Sequence, residues 1–71
     1  MIYLYHLTPG ARIATAPHTD AWMRGERYGT IETVGRRWVH VIGERSGRLF
    51  KFAISGRGGL NPRVDGLTGV V

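Results

Sequence analysis

Arg36, Arg37, Arg45, Arg48 and Lys51 are the densest set of cations in the chain, and Trp38 and His40 are interleaved with them. The chemistry such a set can do is recognition of a polyanion. Guanidinium and ammonium groups neutralise phosphates, the Trp38 indole offers a stacking platform worth about 1–3 kcal/mol per base, and His40 supplies a hydrogen bond. Arginine's planar fork suits phosphate and base edges better than lysine's point charge. The competing account is compositional: a GC-rich genome enriches arginine, these arginines are solvated turn residues, and Trp38 packs under a loop. In a meander the two arginine pairs would sit at opposite ends of the strands, because six residues span about 20 Å. They would form two clusters joined by the Trp38, His40 and Lys51 face, a shape suited to a strip of backbone phosphates.

A second candidate surface is Trp22-Met23-Arg24, since Trp and Arg dominate protein-interface hot spots. The alternative for Trp22 is that its loop tucks it onto the domain. Arg57-Gly58-Gly59 resembles the repeated tripeptide of flexible RNA-binding segments, but a single copy reads more simply as a glycine turn. His18 and Asp20, with His6 and His40 elsewhere, have no metal-site spacing, so turn formation by Asp20 is expected and no metal or cofactor. No nucleophile elbow or spaced carboxylate pair is present. Gly56-Arg57-Gly58-Gly59 lacks the Lys and following helix of a phosphate loop. The expectation is a binding module and not an enzyme.

Composition narrows the partners. Ten Lys plus Arg against five Asp plus Glu give a formal charge of +5, with a sequence pI near 10.8, which makes a polyanionic partner the first expectation. A chain of 71 residues is one domain, residues 1–71, and buries only about 60% of its unfolded surface. With no cysteine there is no disulfide framework and no thiolate metal site, in keeping with a reducing, cytoplasmic setting. The opening Met1-Ile2-Tyr3-Leu4-Tyr5-His6-Leu7 has neither the basic leader of a signal peptide nor the length of a membrane span, so it is expected to belong to the fold.

The elements that must position these residues read as β throughout. Residues 27–34, 38–42 and 49–54 are three strands joined by glycine turns, and residues 2–7 and 11–16 are strand-like runs separated by Thr8-Pro9-Gly10. Residues 17–26 read as one long irregular loop and 56–66 as a second irregular stretch, with 67–71 a closing strand. No helix is expected.

Parity sets the register, because a slip of one residue turns every side chain to the other face. An even turn around Ser46-Gly47 puts Val39 and Val41 on one face with Phe50, Phe52 and Ile54. An odd turn of Gly35-Arg36-Arg37 aligns Ile31 with Val41 and Thr33 with Val39, whereas an even one would bury Glu32. The opposite face then carries Trp38, His40 and Lys51, with Glu32 beside His40 and His40 beside Lys51. Apolar residues on both faces require a sheet that curls on itself or is covered, so a closed barrel or a homo-oligomer is implied.

Arg27-Tyr28-Gly29-Thr30-Ile31-Glu32-Thr33-Val34-Gly35, the strand Trp38-Val39-His40-Val41, then Ser46-Gly47-Arg48 and Phe50-Lys51-Phe52 resemble an SH3-like small barrel. With Pro9-Gly10-Ala11-Arg12-Ile13 included, the sequence is similar to KOW-type domains and to short phage- and plasmid-encoded proteins of this class. The resemblance covers about two thirds of the chain and implies an all-β barrel of about five antiparallel strands. Members of the KOW-like group bind RNA, ribosomes or RNA polymerase; other barrels bind DNA, histone tails or proline-rich peptides. The plasmid type II dihydrofolate reductase uses a similar barrel, but its Val-Gln-Ile-Tyr strand is replaced here by Leu49-Phe50-Lys51-Phe52, so that active site is not carried over. The leading expectation is a nucleic-acid-binding barrel, DNA or RNA, with little sequence preference. The alternative is an adaptor of the phage-encoded kind that docks on an acidic surface of a host protein such as transcription or defence machinery.

Overall fold

Alternation of apolar and polar residues through the centre of the chain produces three long strands, and the shorter elements complete the wall around their buried face. The computed structural model describes residues 1–56 and 58–71. Among the described residues are seven strands: β1 (Ile2–Tyr3), β2 (Arg12–Thr15), β3 (Tyr28–Val34), β4 (Trp38–Gly43), β5 (Leu49–Ser55), β6 (Arg63–Val64) and β7 (Leu67–Val70). All pairings are antiparallel, in the order β1-β6-β5-β4-β3-β2-β7. The end strands β1 and β7 approach one another without a ladder, which makes a small, nearly closed barrel. Each wall strand contributes inward residues to one core: Ile13, Ile31, Val39, Val41, Val64 and Leu67 are fully buried, with Ile2, Phe52 and Ile54 around them. Burying each such side chain stabilises the fold by about 1.5–3 kcal/mol.

The second hairpin has the expected even register, with Val39 opposite Phe52 and Val41 opposite Phe50. The first is different. Gly35 N–H donates to the Trp38 carbonyl at 2.9 Å, so the turn itself is the tight, even one. A β-bulge between Ile31 and Thr33 absorbs the extra residue. Ile31 therefore pairs with Val41 as expected, but Thr33 pairs with His40 and Val34 with Val39. Glu32 stays exposed: the bulge does the work that an odd turn had been expected to do.

Three short elements depart from the expectation. Only Ile2–Tyr3 of the first run is strand; Leu4–His6 forms a 3-10 turn, with Leu4 N–H bonded to the Pro62 carbonyl at 2.8 Å. Pro62 has no N–H to return to a longer ladder, so pairing stops there. The stretch 56–66 contains β6, too short to show a period. The loop 17–26 contains one helical turn, α1 (Asp20–Met23). Thr19 caps it, accepting from Trp22 N–H at 3.2 Å and donating to the Ala16 carbonyl at 2.7 Å. A four-residue helix cannot nucleate alone; burial of Ala21 holds it.

Candidate nucleic-acid interface

The outward face of β4 and β5 is built by register. Trp38 lies opposite Ala53 and His40 opposite Lys51, while their neighbours Val39, Val41 and Phe52 point into the core. Trp38 is 39% exposed, and Lys51 Nζ sits 4.5 Å from the centroid of its ring, a cation–π contact worth about 0.5–1 kcal/mol when exposed. The expected Glu32–His40 neighbour relation is not formed, because the bulge moves Glu32 out of the ladder. In its place Thr33 Oγ1 lies 2.9 Å from His40 Nδ1, which fixes the ring and leaves Nε2 as its other polar atom.

At one end of this face, Arg36 and Arg37 form the tip of the β3–β4 turn and are both exposed. Ile54 N–H donates to the Arg37 carbonyl at 2.9 Å, so β5 anchors the turn's backbone. Arg36, with Leu4, Gly35, Ile54 and Pro62, borders an open hollow of about 320 Å³.

The β4–β5 turn lies at the opposite end, as expected from strand length, and its arginines have different company. Glu26 is only 3% exposed and accepts the backbone N–H of Arg45 at 3.0 Å and of Ser46 at 2.7 Å. Hydrogen bonding from Ser46 above all, then from the Arg45 backbone, outweighs desolvation and lowers its pKa. Gly43 makes room for this carboxylate: a Cβ there would meet the Glu26 carboxyl carbon at 2.6 Å. The Arg45 guanidinium folds over Gly25 and adds a favourable charge to Glu26. Arg48 lies 5.9 Å from the Phe50 ring centroid. Nearby, Arg12 binds Glu44 through two nitrogens and stacks 4.2 Å from the Tyr28 centroid. The hydrogen bond with Arg12 lowers the Glu44 pKa.

Among the described residues, three cations form ion pairs: Arg12 with Glu44, Arg24 with Asp20 at 2.8 Å, and Arg63 with Asp65 at 3.9 Å. Arg36, Arg37, Arg48 and Lys51 form none. Glu26 is not legible along the chain, since an isolated Glu after Gly25 carries no signal of burial. Nor is the drawing back of Arg45 toward that carboxylate.

Of the alternative protein-binding set, Trp22 is half-buried with the Arg27 guanidinium carbon 3.5 Å from its ring centroid. Met23 is 76% exposed, and Arg24 is tied to Asp20. His18 is exposed. Arg57 of the Arg57-Gly58-Gly59 motif lies outside the described residues. No family model matches the chain, and no match is found among curated proteins or solved structures.

Proposed function

We propose that this barrel, of the SH3-like kind suggested by its central motif, binds nucleic acid with little sequence preference. Arg36, Arg37, Arg45, Arg48 and Lys51 neutralise phosphates, Trp38 stacks on a base and His40 donates or accepts a hydrogen bond. The observation that carries this reading is the partition of charge. Among the described residues, Glu44, Asp20 and Asp65 pair with Arg12, Arg24 and Arg63, whereas Lys51 lies over the partly exposed Trp38 ring and Arg36 and Arg37, at the turn beside it, are exposed and form no ion pair. Four phosphate contacts on a duplex give a log–log salt slope near −3.6. A salt titration of binding to mixed-sequence DNA and RNA tests it, and an affinity indifferent to salt would overturn it.

A second reading is an adaptor that docks through Trp22, Met23 and Arg24. Its support is the 76% exposure of Met23 and an open groove of about 370 Å³ between α1 and β5. Retention of a host protein on the immobilised barrel after nuclease treatment, lost on Met23→Ala, would favour it over the first.

A further inference from the structure

Tyr3 and Tyr5 stack with ring centroids 5.6 Å apart and planes within 7°, and the His6 ring lies 4.3 Å from that of Tyr5. Tyr5 is 67% exposed, so this ladder contributes little to the core. It does not stand apart from the face already described. Ser55 on β5 is in register with Arg63 on β6, and Arg63 with Tyr3 on β1. The strand neighbours of Ser55, Arg63 and Tyr3, namely Ile54, Val64 and Ile2, are buried, so all three point outward. Ser55 follows Ala53, the cross-strand partner of Trp38, by two residues and shares its face. One outer surface thus runs from Lys51 and Trp38 across Ser55 and Arg63 to Tyr3, Tyr5 and His6. Asp65 reaches Arg63 only at 3.9 Å, with both side chains well exposed. Such a contact yields readily to a phosphate.

We propose that Tyr5, supported by Tyr3 and His6, is a second base-stacking station, and that the ligand of the proposed site is single-stranded nucleic acid. The inference rests on the nucleic-acid reading above and narrows it. Bases inside a duplex already stack on one another and cannot reach two separate aromatic platforms, whereas unpaired bases can. From β4 to β1 the sheet takes three interstrand steps, about 14 Å in all. At about 3.4 Å per stacked nucleotide, roughly four nucleotides cover that span, with Arg63 between the platforms placed to meet the backbone. A hexamer can occupy both platforms and a dimer only one.

Fluorescence anisotropy with labelled dT12, rU12 and a 12-base-pair duplex tests this. Tyr5→Ala should weaken binding of both single strands about 5- to 150-fold, the equivalent of losing one stacked base at about 1–3 kcal/mol. The salt slope should stay unchanged and duplex affinity should move by less than about twofold. Tyr5→Phe keeps the ring and should recover most of the loss, and thermal melts of both variants separate misfolding from lost contact. Competition by dT6 but not dT2 is expected. Wild-type single-strand affinity in Tyr5→Ala, or an equal loss on duplex, would overturn this inference while leaving the salt-slope test of the broader reading standing. A wild-type protein that binds none of the three probes would overturn both.

Discussion

The turn at residues 35–37 and the turn at residues 44–47 each bring arginines to one end of the same three-strand meander, and they are built in opposite ways. The first is a tight backbone turn closed by the Gly35–Trp38 hydrogen bond. It contains no buried polar group, and its two arginines form no ion pair among the described residues. The second is organised around the buried carboxylate of Glu26, which takes two backbone N–H groups of the turn and holds Arg45 in its field. Arg12 and Glu44 neutralise one another beside it. Arginine count along a sequence therefore does not measure available positive charge. Where a carboxylate is needed to satisfy a turn, it also takes up part of the local cationic field.

Pairwise removal of the arginines should separate the two turns most strongly. Arg36→Ala with Arg37→Ala should flatten the duplex salt slope by about 1.8, two contacts at about 0.9 each. Arg45→Ala with Arg48→Ala should flatten it by less, because Arg45 is partly engaged. Equal changes would mean that both ends carry equivalent free charge.

Backbone substitutions probe the same contrast through stability. Gly43→Ala drives a methyl group into the Glu26 carboxylate and should cost about 1–3 kcal/mol in chemical denaturation. At Gly35 the φ is not in the left-handed region and the nearest atom to an added Cβ is 3.2 Å away. Gly35→Ala should therefore stay within about 1 kcal/mol of wild type.

Acid titration isolates the carboxylates of the second turn. Glu26 and Glu44 both have folded-state pKa values below their unfolded ones. Their contribution is complete above the unfolded pKa, about 4.3, and is lost as pH falls through the lowered folded values. Thermal melts should show the melting temperature dropping below about pH 4. Glu26→Gln should lower it at neutral pH and flatten that acid limb; an unaltered limb would show that Glu26 does not anchor the turn.

The smallest effect is expected at the surface pair. Arg12→Ala breaks an ion pair whose side chains are 45% and 44% exposed, and exposed pairs contribute little. The melting temperature should barely move, and salt should erase the difference.

Much of the barrel's middle was readable because its signal is local. Val39, Val41, Phe50 and Phe52 alternate along two adjacent strands, and only one parity of the Ser46-Gly47 turn brings them to one face. That parity is the one observed, and it is what turns Trp38 and Lys51 outward together. The β6 strand was not readable, since two residues between Asn61-Pro62 and Asp65-Gly66 carry no period. Nor was α1, whose Thr19 cap is a local signal but whose formation depends on seating Ala21 against the core.

The chain's own alternation determined three long strands, the inward residues of β4 and β5 and an outward Trp38–His40–Lys51 row, because side-chain direction along an unbulged strand follows from residue number alone; in β3 the bulge brought Val34 rather than Thr33 opposite Val39. Which charges remain free was decided only by tertiary structure. The partners are distant in sequence: Glu26 meets residues 45 and 46, Arg12 meets Glu44, and Tyr3 joins Ser55 through Arg63. Such contacts depend on how the sheet curls into a barrel, and no spacing along the chain encodes them.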